Sequence, residues 1–217
     1  REDELRGNNN LLYGEPFKSD FNRELGKYLD SVMSQEVDFK QPDLVILYDM
    51  KQDDFQVQIN PVFIYGRYLK LKRGIPQSRW DCKECKGKGC EECNNTGRKY
   101  PDSVSEYIGN PSLKILDGTR FKVHAAGRED IDVLMLGTGR PFVLEVSEPK
   151  IRHPDLDELR KAVNHYASGK IEVLGLRITD RNEAQTLKAD SSENIKEYKA
   201  RIRVEGQVTE DMLKKVE

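Results

Sequence analysis

Histidine and cysteine are scarce in this chain, three and four among 217 residues. His124, His153 and His165 have no ligand-like spacing, and each reads as an ordinary surface or core residue. No apolar run reaches the roughly 18 residues that a membrane helix requires. No charged-then-apolar leader opens the sequence either. The expectation is therefore a protein with no membrane association, not secreted, working in the cytoplasm. A large one-signed charge is also missing: the formal net charge is −2, so no global field advertises a nucleic-acid partner. No internal repeat is visible. What is present is 36% hydrophobic and 34% charged residues, which predicts modest cores under a salt-bridged surface. The length suits one large domain or two small ones.

The distribution of charge says more than its sum. No acid falls between Asp54 and Asp81, whereas Arg67, Lys70, Lys72, Arg73 and Arg79 do, interleaved with Tyr65, Tyr68 and Trp80. Local cations bind phosphate and exposed aromatic faces stack on bases. The competing reading is an ordinary solvated basic loop.

Periodicity outlines two units. Phe21, Leu25, Tyr28, Leu29 and Val32 recur at helical spacing between Asp20 and Gln35, with Asp20 as N-cap. The apolar run Asp43–Tyr48, the alternating Phe55, Val57 and Ile59, and Val62–Tyr65 read as strands, closing a small α/β unit near Lys72. From Ser103 onward a helix opening at Val104, strand segments at Phe121–Val123 and Val133–Leu136, and the buried strand Pro141–Val146 follow. A helix with Pro154 as its first residue, ended by Gly169, precedes a strand at Ile171–Ile178. A last alternating segment, Glu193–Arg203, carries Tyr198, Ala200 and Ile202.

All four cysteines, Cys82, Cys85, Cys90 and Cys93, lie in DCKECKGKGCEECNNTG, two CxxC pairs around a spacer with Gly87 and Gly89. Two thiolates of a CxxC reach one ion, and glycines permit the tight turns. Tetrahedral sulfur selects zinc over magnesium or calcium. The stretch Gly74–Tyr100 has almost no aliphatic residues, so its order comes from the metal. Two disulfides are disfavoured without signs of secretion, and an iron–sulfur cluster is the weaker competitor. Four ligands leave no open position, so the zinc is structural and not catalytic.

The segment HAAGREDIDVLMLGTGRPFVLEV, His124 to Val146, places an Arg-x-Asp turn, Arg128-Glu129-Asp130, between strands, with a second turn at Gly137–Pro141. As bare sequence, Asp130 serves as well as a turn-former. The segment resembles the archaeal and eukaryotic tRNA pseudouridine synthase family that modifies uridines 54 and 55 of the TΨC arm. The likeness extends to FIYGRYLKLKRGIPQSRWDCKECKGKGCEEC, from Phe63 to Cys93, and to KEYKARIRVEG, from Lys196 to Gly206.

That resemblance implies an α+β chain: a small α/β THUMP-like tRNA-gripping region with the zinc knuckle over residues 1–100. A mixed, mostly antiparallel pseudouridine synthase domain would occupy residues 101–217. It implies Asp130 as nucleophile, with Arg128 and Tyr198 contacting the substrate, Tyr198 stacking on a uridine flipped out of its helix. It implies tRNA as partner and no cofactor for catalysis, and a monomer is the expected state. Because the family's catalytic domain continues with a further strand-rich segment, the expectation is a catalytic domain incomplete at its C-terminal end. Arg128 is expected to pair with Asp130, with Asp132 the reserve nucleophile. Two other readings stay open: a magnesium-dependent nuclease built on Asp132, Glu148 and Lys150, weakened by Pro149, and a non-catalytic, zinc-containing RNA-binding module.

Overall fold

A computed structural model of the chain describes residues 2–11, 13–189, 195, 197–201, 203, 206, 209 and 210. The α+β class holds. Helices α1 (Glu2–Asn8) and α2 (Phe17–Val32) precede a hairpin of β1 (Leu44–Asp49) and β2 (Asp54–Ile59). Then come β3 (Val62–Lys70), α3 (Val104–Leu116), β4 (Arg120–Ala125), β5 (Met135–Ser147), α4 (Leu156–Ala167), β6 (Ile171–Thr179) and α5 (Arg181–Ala189).

α2 begins three residues before the expected cap. The Glu2 carboxylate accepts the Phe17 backbone N–H at 2.7 Å, which satisfies a donor the helix would otherwise leave open. Asp20 instead falls in the first turn, bonded to Arg23. The Phe21 ring stacks on Tyr48 with centroids 5.6 Å apart, seating α2 on the hairpin.

The second sheet is antiparallel throughout, in the order β4-β5-β3-β6. β3 is therefore a central strand, between β5 and β6, and not the last strand of the N-terminal unit. A division at residue 100 cuts through this sheet; the change of partners falls at Asn60–Pro61, between β2 and β3. Along β3, Val62, Ile64 and Tyr68 join Phe142, Leu144 and Val146 of β5 in a core under α3 and α4. The alternate residues Phe63 and Tyr65 meet Val143 and the α5 residues Ala184 and Leu187 on the opposite face. This period of two puts Lys70, wholly buried, on the core face.

The glycine-rich stretch expected as a second turn lies inside β5. Gly137 and Gly139 have φ of 68° and 74°, and the pairing with β3 slips between Tyr68 and Lys70. This is a bulge, which sharpens the twist without ending the strand. Arg67 holds it, donating to the carbonyls of Thr138 at 2.6 Å and Gly139 at 2.7 Å. Arg67 is thus committed to the fold, as is Lys70, and the basic stretch loses two of its five surface cations. α4 starts two residues after the expected place because Asp155 accepts the N–H groups of Asp157 and Glu158 as its cap. Pro154 precedes that cap. The Glu193–Arg203 strand falls partly outside the described residues, Ile202 included; Tyr198 and Ala200 are described and lie in no strand.

Packing of α3 on the sheet depends on Gly109, where an added Cβ would lie 2.2 Å from the Phe121 ring. Gly109→Ala should lower stability by about 1–3 kcal/mol despite alanine's better helix propensity. Urea unfolding measures it; a stabilised variant would contradict this packing.

Candidate active site and metal centre

The Arg-x-Asp turn lies between β4 and β5 and is pinned from inside the core. Exposure alternates along it: Arg128 and Asp130 are exposed, while the Glu129 side chain is 2% exposed. Glu129 pairs with Arg140 of β5 at 2.9 Å, and the guanidinium also donates to the Ala126 carbonyl. The Tyr68 hydroxyl donates to Glu129 at 2.8 Å. Gln77 Nε2 donates to the Tyr68 oxygen and the Gly127 carbonyl, both at 2.9 Å. Burial, then the charge of Glu129, pushes the Tyr68 phenol above its ordinary range, so it remains a protonated donor.

Lys70 completes the clamp. Its Nζ donates to the carbonyls of Asp130 at 2.8 Å, Ile75 at 3.1 Å and Ile131 at 3.3 Å. Burial holds its ammonium below the ordinary lysine range, opposed by the charges of Glu129 and Asp132. Gly74 N–H donates to Ile131 O at 2.8 Å, so the segment after β3 is stitched to the same turn. Asp130 is exposed on a loop anchored by the buried Tyr68, Lys70 and Arg140. Such a loop presents a carboxylate with little reorganisation.

The acid that is paired is therefore Glu129, with Arg140, rather than Asp130 with Arg128. Sequence reasoning missed Glu129, Tyr68, Lys70 and Arg140 as parts of the site. The usable signal was alternation: Tyr68 and Lys70 share the phase of Val62 and Ile64, and Glu129 has the phase opposite to Arg128 and Asp130. Arg128, Lys122, His124, Gly127 and Gln77 line a cleft of about 390 Å³ beside the turn. His124, in its wall, has Nε2 2.6 Å from Oε2 of Glu145 on β5. Tyr198 is 81% exposed, and no contact among the described residues joins it to Asp130.

The nuclease set does not assemble. Asp132 precedes one end of β5 and Glu148 follows the other; 13 residues at about 3.3 Å each separate them by roughly 30–40 Å. Lys150 is taken by Asp117 at 2.9 Å, and Glu148 accepts from Thr119.

The four cysteines do converge. Their Sγ atoms all lie within 4.8 Å of one another, with Cys82–Cys90 at 3.8 Å, Cys85–Cys93 at 3.9 Å and Cys90–Cys93 at 3.7 Å. Tetrahedral metal–sulfur bonds of about 2.3 Å would separate sulfurs by about 3.8 Å, whereas a disulfide needs about 2.05 Å. The thiols are free of one another, and the site can hold a metal ion. Backbone N–H groups of Gly89, Gly97 and Cys90 point at Cys85 or Cys93 sulfur at 3.1–3.3 Å. Against the burial that raises it, the N–H groups of Cys90 and Gly97 draw the Cys93 thiol down to about 6. Gly97 is required at its crossing, where a Cβ would meet Gly87 O at 2.3 Å.

The family model described as Pus10, C-terminal matches residues 63–217, and that described as Pus10 THUMP domain, archaeal matches residues 1–49. The tRNA pseudouridine synthase Pus10 of Methanothermobacter marburgensis is 50% identical over 204 residues, 94% of this chain and 51% of that protein. Its counterpart in Halorubrum lacusprofundi is 44% identical over 206 residues, 92% of this chain and 48% of that protein. The one in Methanocaldococcus jannaschii is 46% identical over 191 residues, 88% and 41% respectively. The chain spans about half the length of the curated relatives it matches.

Proposed function

The chain belongs to the Pus10 family, and on that footing we propose that it serves a tRNA pseudouridine synthase, with Asp130 as the nucleophile and uridines 54 and 55 as targets. The observation that carries the reading is the clamped Arg128-Glu129-Asp130 turn, which offers one exposed carboxylate on a buried frame. In the proposed reaction the Asp130 carboxylate bonds to ribose C1′ of an extruded uridine, and uracil leaves from N1 with the bonding electrons. The freed base turns, C5 bonds to C1′ as the carboxylate departs, and the C5 proton passes to water while N1 takes one up. Nothing is oxidised or reduced, so the chemistry calls for no catalytic cofactor.

Arg128, exposed beside the cleft, is suited to a phosphate next to the target nucleotide. Tyr198, its side chain largely exposed, is suited to stack on the extruded base. The THUMP-like unit before Asn60 is the proposed grip on tRNA, and the protein is read as a cytoplasmic monomer. Among the described residues no helix is long and apolar enough to cross a membrane.

For the cysteine site the proposed ion is zinc, one per chain, because four thiolates in this geometry suit a closed structural site. A zinc ion there would fix the knuckle and take no part in the chemistry. Elemental analysis should find about one zinc per chain, and chelation should expose four titratable thiols and loosen the residues around Cys82–Cys93. Metal-free protein with two disulfides would contradict the assignment. Position-resolved mapping of pseudouridine in tRNA treated with the intact protein tests the function; cleaved RNA, or binding without product, would contradict it.

A further inference from the structure

Trp80 belongs to neither the Asp130 turn nor the four-cysteine set. It is the chain's only tryptophan, and it is 39% exposed. Tyr100 stands edge-on to it, centroids 5.7 Å apart at 76°. The Lys99 ammonium lies 5.2 Å from the Trp80 centroid and 5.6 Å from that of Tyr100. A short ladder displays the group: Lys99 N–H donates to Trp80 O at 3.0 Å and Cys82 N–H to Gly97 O at 2.9 Å, with Asp81 bridged to Arg98 between them. The ring is thus fixed at the base of the cysteine knuckle, outside both apolar cores.

The charges around it discriminate among occupants. Arg98 is consumed by Glu106 at 2.7 Å. Lys99 is exposed and pairs with no carboxylate among the described residues, its ammonium resting on the rings alone. Arg79, on the other side of Trp80, is exposed and shared only with exposed Asp81 at 3.0 Å. An aromatic face covered by one flexible cationic arm fits a ligand with a planar ring and a negative charge on the same unit. A nucleotide has both, and only an unpaired one has a ring face to offer.

We infer that Trp80, Tyr100 and Lys99 form a stacking platform for one unpaired base of an RNA strand, Lys99 swinging from the ring to the adjoining phosphate. This rests on the reading of the chain as an RNA enzyme and adds a contact site away from the Asp130 turn.

Because Trp80 is the sole tryptophan, its fluorescence reports the contact directly. Titrating the chain with single-stranded oligouridylate should quench Trp80 emission, while a blunt RNA duplex should quench it far less. Labelled oligouridylate should bind Trp80→Ala about tenfold more weakly and Trp80→Phe nearly normally. Lys99→Ala should flatten the dependence of log affinity on log salt by about 0.7, the share of one phosphate contact on a single strand. Metal content of each variant should match the unaltered chain, which separates a lost contact from a collapsed knuckle. Tight binding with unchanged emission and an unaffected Trp80→Ala would overturn the platform alone. Failure to bind any RNA, tRNA included, would overturn it together with the functional reading it rests on.

Discussion

Replacing Asp130 by alanine or asparagine should reduce pseudouridine formation on the order of 10³-fold or more, while tRNA affinity stays close to that of the unaltered protein. A nucleophile has no understudy in the turn: Glu129 is buried against Arg140, and Asp132 lies beyond the pinned segment. Lys70 holds residue 130 through its backbone carbonyl, which the substitution leaves in place. The variant should therefore fold and bind normally. Pseudouridine mapping alongside a tRNA-binding titration checks both halves. Asp132→Ala, made in parallel, should retain most of the activity.

Arg140→Ala should cost about 3–5 kcal/mol, because it strands the Glu129 carboxylate inside the protein without its counter-charge. For a chain of this size that corresponds to a fall in Tm of roughly 10 °C. The carbonyl of Ala126 loses its donor in the same step. Replacing Glu129 and Arg140 together by leucine should recover much of the stability, since the uncompensated charge goes with the pair. Activity should not return with it, because the Tyr68 hydroxyl then loses its carboxylate acceptor and the turn is held on that side by the Gln77 bond to the Gly127 carbonyl alone. Thermal unfolding of the single and double variants separates the two effects. A loss below about 1 kcal/mol for Arg140→Ala would mean that the pair is solvated and the turn is not clamped.

How far the sequence could be read depended on whether the deciding contacts were local. β1 and β2 pair with each other across a short turn, and alternation around Asp54–Ile59 exposed them. The cysteines announced their site through spacing alone, as two CxxC pairs must lie close. β3 resisted because both its partners, β5 and β6, come much later in the chain; a run such as Val62–Tyr65 carries no mark of which unit it joins. Lys70 read as a surface cation because lysine is seldom buried, and only the three carbonyl acceptors supplied by the turns around it make that position tolerable. The bulge in β5 read as a turn because two glycines and a proline serve either structure; Arg67, from a distant strand, decides between them.

The same division holds at the site. Asp130 and Arg128 were reachable through the resemblance carried by the Arg-x-Asp motif. Glu129 was hidden as its middle residue, although the motif's own alternation places that side chain inward. Arg140 and Tyr68 were beyond reach without the sheet that brings β3 and β5 side by side.

The central claim is that the clamped turn uses Asp130 to exchange the C1′–N1 bond of uridine for C1′–C5, which must expel the hydrogen on C5. Release of tritium from tRNA labelled at uridine C5 measures that event alone. The intact protein should release tritium from unbroken tRNA, and the Asp130→Ala protein should release none above background. Equal release by the two proteins, or no release while the RNA is bound, would contradict it.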